Sequence, residues 1–306
     1  MDASACACGA TNPRFFSSTS LNLRASDGVT SPRAIWKRKI AAAADDDAAP
    51  RTMAGAEAQM PFIRNLASSD RKLRTQSLAA LQTYLSTRTG LAATEARKLW
   101  TGLYYALWMT DGPRPQQALA SDLARLPLDA PGACAVPLAT GFWDVMSRQW
   151  ASIDALRMDK FLLLVRRAFA AQVRFARREG WFGPRVEQML ELWRRRAFDA
   201  DDEDGAPLGL RLHVLDLWVD ELDRERALGR DEDEDDDDDA AAARDRWVRE
   251  VGDMVDALRA SPVKSVRNRA SESYADERLP WGARRSDDEG HGEVGLEDEA
   301  WDGIED

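Results

Sequence analysis

The segment from Lys98 to Asp111 reads KLWTGLYYALWMTD. Wound as a helix at about 100° per residue, it crowds Leu99, Trp100, Leu103, Tyr104 and Leu107 on one side. Tyr105 and Met109 stand opposite, so the helix is apolar almost all round. A helix without a polar face is buried between neighbours, so the chain must supply further helices to cover it.

The surrounding sequence does so. Ser69 or Asp70 caps a predicted helix running to about Ser86, with Leu73, Leu78, Leu81 and Leu85 at helical intervals. Thr94 caps the next, to about Thr110. Asp111-Gly112-Pro113 ends that helix and starts another, with proline suited to a first-turn position. A loop is expected from Pro127 to Pro137, then a helix over 138–150. Asp154 opens a long helix that stops at Gly180, and helices over 184–197 and 208–228 complete the block. No stretch alternates in the manner of a strand. The short links favour antiparallel neighbours, giving an all-α protein, an α-solenoid or bundle-like stack of antiparallel helices with disordered termini. No repeat is strong enough to name a repeat family.

The net charge of −11 conceals an asymmetry. Residues 1–59 hold 7 Lys and Arg against 6 Asp and Glu, residues 60–200 hold 21 against 12, and residues 201–306 hold 14 against 35. The middle is basic and the end acidic, so the whole-chain charge does not exclude an anionic partner. Five segments are expected: a disordered leader (1–58), a helical domain (59–230), an acidic linker (231–239), an accessory helix (240–260) and a disordered acidic tail (261–306). The leader is poor in acids and carries arginines among serines, a transit-like composition. The alternative is a misassigned start, because organised sequence begins abruptly at Met60-Pro61-Phe62. The nine consecutive acids of 231–239 repel one another, which favours an extended linker.

On the long helix, Phe161, Leu164, Val165, Ala168, Gln172, Phe175 and Ala176 form one stripe. Lys160, Arg167, Arg174 and Arg178 fall together on the far side, with Arg166 and Arg177 beside them. Arg194, Arg195 and Arg196 add three cations to the following helix. These nine are the candidate contacts for RNA or an acidic protein; a solvated face looks the same in sequence.

Nothing points to catalysis. The chain lacks a phosphate-binding P-loop, a dinucleotide-binding glycine fingerprint, a nucleophile elbow and a zinc-protease helix. His213 and His291 are its only histidines. Cys6-Ala7-Cys8 has no second pair at metal-ligand spacing, and no apolar run reaches membrane-spanning length. No cofactor, metal, membrane or small-molecule substrate is expected.

The same block resembles the nucleolar family called ribosomal RNA-processing protein 1. Phe62 to Ala67 match its opening F-x-x-x-L-A, and Tyr84, Leu85, Ser86 and Arg88 match Y-L-S-x-R. Leu99, Trp100, Gly102, Leu103, Tyr105, Trp108, Met109, Asp111 and Pro113 match its L-W-x-G-L-x-Y-x-x-W-M-x-D-x-P segment. Phe142, Trp143, Met146 and Trp150 match F-W-x-x-M-x-x-x-W. Ile153, Asp154, Leu156, Arg157, Asp159, Lys160, Phe161, Leu164, Arg166 and Arg167 match a third dense motif. The resemblance implies a nuclear, chiefly nucleolar, non-catalytic factor of precursor large ribosomal subunits that supports pre-rRNA processing by scaffold binding. Its implied partners are proteins of the pre-60S particle and pre-rRNA. A protein–protein adaptor without RNA contact is the rival reading. Trp100, Tyr105, Trp108, Asp111, Trp143, Trp150, Asp154 and Asp159 are expected to be structural. The leader lies outside the family core, and the tail is acidic where many relatives carry basic extensions.

Overall fold

The computed structural model describes residues 65–282 apart from 67, 69, 201–205 and 230–237. The leader, the acidic run as far as 237 and the tail beyond 282 lie outside the described residues. Among those described, nine α-helices and one 3-10 turn form, and there is no strand. They are α1 (Arg71–Ser86), α2 (Ala93–Trp108), α3 (Pro113–Asp129), α4 (Gly132–Gln149), the 3-10 turn Trp150–Ser152, α5 (Ala155–Arg178), α6 (Pro184–Arg196), α7 (Leu208–Arg224), α8 (Asp238–Leu258) and α9 (Lys264–Tyr274).

Packing skips one element at a time. α2, α4, α6 and α8 follow one another in one layer, and α1, α3, α5, α7 and α9 in the other. Helices within a layer run parallel: Leu162, Arg166 and Arg174 of α5 meet His213, Glu221 and Glu225 of α7 in the same order. This is the two-layer α-solenoid that short links between helices favour.

Local signals start several helices. Asp70 and Asp154 each accept a hydrogen bond from a first-turn N–H of α1 and α5, at 2.8 and 3.1 Å. Pro113 and Pro184 open α3 and α6 after glycines at positive φ. The cap expected at Thr94 moves two residues back, to Ala92, whose N–H donates to the Glu95 carboxylate at 3.4 Å.

The expected loop from Pro127 to Pro137 is largely absent. α3 continues through Pro127 to Asp129, and α4 starts at Gly132 with Pro137 inside it. Each proline removes one i→i−4 hydrogen bond. Leu123 and Leu126 on one side, and Cys134, Leu138 and Phe142 on the other, are buried by the continued helices. Tertiary burial overrides local propensity here.

The accessory helix and the start of the tail also differ from expectation. α8 starts two residues earlier than expected and packs into the stack, with Trp247 between Trp181 and Trp193 at ring separations of 5.1 and 5.8 Å. Asp238 and Asp239, expected in the linker, form its first turn, where acids suit the positive end of the helix dipole. α9 forms within the stretch expected to be disordered and packs on α7 and α8. Trp281 then stacks on Tyr274 at 5.1 Å and fills the space left by Gly252, where a Cβ would lie 2.2 Å from the indole. The few apolar residues of this polar segment are the ones that dock: Val266, Ala270 and Leu279 are buried.

Candidate docking face

Burial of the motif aromatics decides what is left for binding. Trp100, Tyr105, Trp143 and Trp150 are all buried, and Trp108 is half-buried. Trp143 of α4 and Trp193 of α6 both donate their indole N–H to the side-chain oxygen of Gln172 on α5, at 3.1 and 2.5 Å. Gln172 is 2% exposed, so its position in the α5 stripe meets the needs of two buried donors.

The third motif fastens the start of α5 to the end of α2. Asp154 caps α5 and pairs with Arg157, whose guanidinium lies 4.7 Å from the Trp108 ring centre. Lys160 donates to the backbone oxygens of Trp108 and Thr110 at 2.7 and 3.0 Å, serving carbonyls that the helix end leaves without intrahelical donors. Burial, then the nearby Arg157, lowers the Lys160 pKa to about 8. Lys160 is 5% exposed, so its expected place on an open basic face is corrected. It is an internal clamp, since a cation satisfied by two carbonyls below the surface has no access to a phosphate. Asp111 and Asp159 are exposed.

Most of the remaining α5 face is occupied within the fold. Arg166 pairs with Glu221, which is 1% exposed, and with Asp220 at 3.3 Å. Arg174 meets Glu225 at 2.8 Å. Arg167 donates to the Gln117 backbone oxygen and to Ser121 Oγ on α3. On the other side of the acidic row of α7, Arg269 pairs with Asp216, and Arg278 with Asp220 and Asp223. The stripe that looks like a phosphate surface in sequence is thus the cationic half of a cross-helix ladder. Arg177 and Arg178 remain exposed and make no ion pair among the described residues.

The α2–α4–α6 layer presents a different face, one that periodicity on α5 alone does not reveal. Gly132, Val136, Thr140, Asp144 and Arg148 of α4 are unburied residues four apart, a row that winds about 40° further round the helix at each step. Its first half borders a cavity of about 290 Å³ lined by Ala93, Ala133, Val136, Pro137, Thr140, Arg185 and Gln188 together with Gly132. The Thr140 hydroxyl is committed to the Val136 backbone oxygen at 2.9 Å, and Arg185 pairs with Glu179.

At the other end, Asp144 accepts Arg196 of α6 at 3.0 Å and lies 3.7 Å from Arg97 of α2. Arg148 is exposed one turn on, Arg194 pairs with Glu191 at 2.7 Å, and Arg195 is exposed. Arg97 and Arg196 thus share Asp144, and Arg148 is exposed and makes no ion pair among the described residues. Arg97 was missed because it and Lys98 make only a short basic pair in sequence; parallel packing of the layer's helices brings Arg97 beside Arg196 at Asp144. No three His, Cys, Asp or Glu side chains among the described residues converge to hold a metal, and no helix is long and apolar enough to cross a membrane.

Comparison with known proteins gives this architecture its context. Residues 57–305 match the family model described as nucleolar protein, Nop52. The human protein named ribosomal RNA processing protein 1 homolog B is 31% identical over 173 residues, 55% of this chain and 23% of that protein. The mouse ribosomal RNA processing protein 1 homolog A is 31% identical over 170 residues, 54% of this chain and 34% of that protein. The Drosophila melanogaster ribosomal RNA processing protein 1 homolog is 29% identical over 171 residues, 54% of this chain and 24% of that protein. The chain thus spans about a quarter to a third of the length of these relatives.

Proposed function

This chain belongs to the nucleolar protein family Nop52, and from that membership we propose that it is a non-catalytic scaffold of precursor large ribosomal subunits, supporting pre-rRNA processing by docking on the particle. Ribosome biogenesis is the role that the family and the names of the relatives carry, and the nucleolus is its compartment. The α2–α4–α6 face is the docking surface in this reading. The observation that carries it is the contrast between two basic surfaces. The α5 cations are largely spent on α7 and α3, whereas Arg148 of α4 is exposed and makes no ion pair among the described residues.

The cavity on that face supports a binding role over a catalytic one. Its lining is apolar apart from Thr140, Arg185 and Gln188, and the single hydroxyl is already donating to a carbonyl. A catalytic site needs convergent polar groups positioned for a reacting atom.

The test uses the tagged full chain in cells. Replacing Arg148, Arg194 and Arg195 together by Glu is expected to remove large-subunit precursor rRNAs from the purified material, with the melting temperature kept close to wild type. Undiminished recovery by the triple variant overturns this docking surface.

A further inference from the structure

We propose that the corner joining α5 to α6 binds single-stranded RNA, with a base stacked on Phe182 and the flanking phosphates held by Arg177 and Arg178. This contact is separate from the α2–α4–α6 face, and it rests on the reading of the chain as a scaffold of the precursor particle.

The corner is the turn Gly180-Trp181-Phe182-Gly183. Gly180, Trp181 and Gly183 have positive φ, at 77°, 66° and 108°. Glycine takes that conformation freely, but a side chain as large as that of Trp181 is strained in it. Packing holds the strain: Trp181 is buried against Trp247 at 5.1 Å, and its N–H donates to the Ala176 backbone oxygen at 2.8 Å. With Trp181 turned inward, Phe182 is 62% exposed and meets no other ring among the described residues. Its Cε1 lies 3.5 Å from where a Gly180 Cβ would stand, so the ring rests on the backbone of its own turn. An exposed aromatic fixed in this way is a stacking platform that loses little freedom on binding.

Unpaired cations adjoin the platform. Arg177 and Arg178 end α5 within five residues of Phe182, are exposed and make no ion pair among the described residues. Carboxylates of the neighbouring helix ends are engaged: Glu179 by Arg185, Glu225 by Arg174 at 2.8 Å and Asp129 by Arg125 at 3.8 Å. Glu187 stands in the first turn of α6, where it complements the helix dipole. Arg177 and Arg178 leave the helix about 100° apart, which suits two successive phosphates better than one anion.

The nine acids of 231–239 follow the end of α7, which Glu225 holds beside α5. An acidic peptide would bring only charges that the chain already carries in tether. A nucleotide brings a base for Phe182 as well, which selects RNA over an acidic protein.

The experiment is fluorescence anisotropy of the full chain with two labelled probes, a uridine 12-mer and the same ribose-phosphate chain without bases. Phe182→Ala and Phe182→Leu should each weaken the uridine 12-mer by about fivefold or more and leave the abasic chain unchanged, while Phe182→Trp keeps wild-type affinity. Arg177→Ala with Arg178→Ala should weaken both probes. It should also lower the slope of log affinity against log salt by about 1.4, two phosphates at about 0.7 each. Unshifted thermal melting checks that the variants fold. Uridine binding that is absent, or indifferent to Phe182→Leu, overturns the proposal. So does a 12-residue poly-Glu peptide whose own binding depends on Phe182 as strongly as that of the RNA. Precursor recovery from cells keeps the two readings apart. A wild-type chain that recovers precursor but binds no uridine 12-mer sinks only the RNA contact, whereas one that recovers none sinks the scaffold reading.

Discussion

Trp193 donates its indole N–H to the side-chain oxygen of Gln172 at 2.5 Å, across the boundary between the two layers of the solenoid. The same oxygen accepts from Trp143 at 3.1 Å, so a single carboxamide serves α4, α5 and α6 together. Gln172→Leu preserves bulk and removes the acceptor, leaving two buried donors unsatisfied at about 1–3 kcal/mol each. A stability loss of roughly 2–4 kcal/mol is expected in urea unfolding. A loss under about 0.5 kcal/mol would mean that both donors find other partners.

Lys160 gives a pH signature. Its folded pKa of about 8 lies below the value of an unfolded lysine, near 10.4. Between those values the unfolded chain holds the proton more often than the folded one, so this group raises stability as pH increases. Lys160→Met deletes that dependence and leaves the Trp108 and Thr110 oxygens without their donor. Denaturation of both proteins from pH 7 to 10 should show wild type gaining relative to the variant above pH 8. A constant difference across that range would contradict the assignment.

Arg166 and the Arg177–Arg178 pair should behave oppositely despite sharing a helix. Arg166→Met strips a partner from the buried Glu221 carboxylate and leaves it Arg224 at 3.2 Å. A destabilisation of about 2–4 kcal/mol is expected, somewhat reduced by that second arginine. Arg177→Glu with Arg178→Glu alters exposed side chains and should change stability by less than about 0.5 kcal/mol. Thermal and urea unfolding of the two variants side by side decides this.

Two glycines set how closely elements approach. A Cβ on Gly141 would lie 2.8 Å from the Ala96 backbone carbon, where neither helix has a flexible side chain to move aside. Gly141→Ala should therefore separate α2 from α4 and cost about 1–3 kcal/mol. Gly252→Val instead meets the Trp281 ring, and the expected outcome is release of Trp281 with α9. A red-shifted tryptophan emission and new proteolytic cleavage after α8 would report it. Unchanged emission would place the hold on Trp281 elsewhere, in Tyr274 and Leu279.

Much of the fold was legible because helical period is a local property. Leu78, Leu81 and Leu85 mark the inner side of α1, and the Asp70 and Asp154 caps sit where the sequence puts them. The prolines misled: at Pro127 and Pro137 the helices persist, because burial of Leu126 and Leu138 outweighs a lost backbone bond. α9 was illegible because its polar sequence buries little on its own side, and the surfaces it docks on belong to α7 and α8.

The candidate surface was less legible, since charge in sequence carries no information about its counter-charge. The period of α5 aligns Lys160 and Arg174 with Arg166 beside them, but Trp108, Glu221 and Glu225 take them up from helices distant along the chain. Conversely, Arg97 and Arg196 acquire a common role only through Asp144 and the parallel packing of their layer. The sequence alone determined that this protein is a stack of helices around buried tryptophans, because apolar period and end signals act within one helix. Which cations face solvent, and which hold the stack together, was decided by the tertiary structure, because an ion pair is a relation between surfaces that only packing brings within a few ångströms.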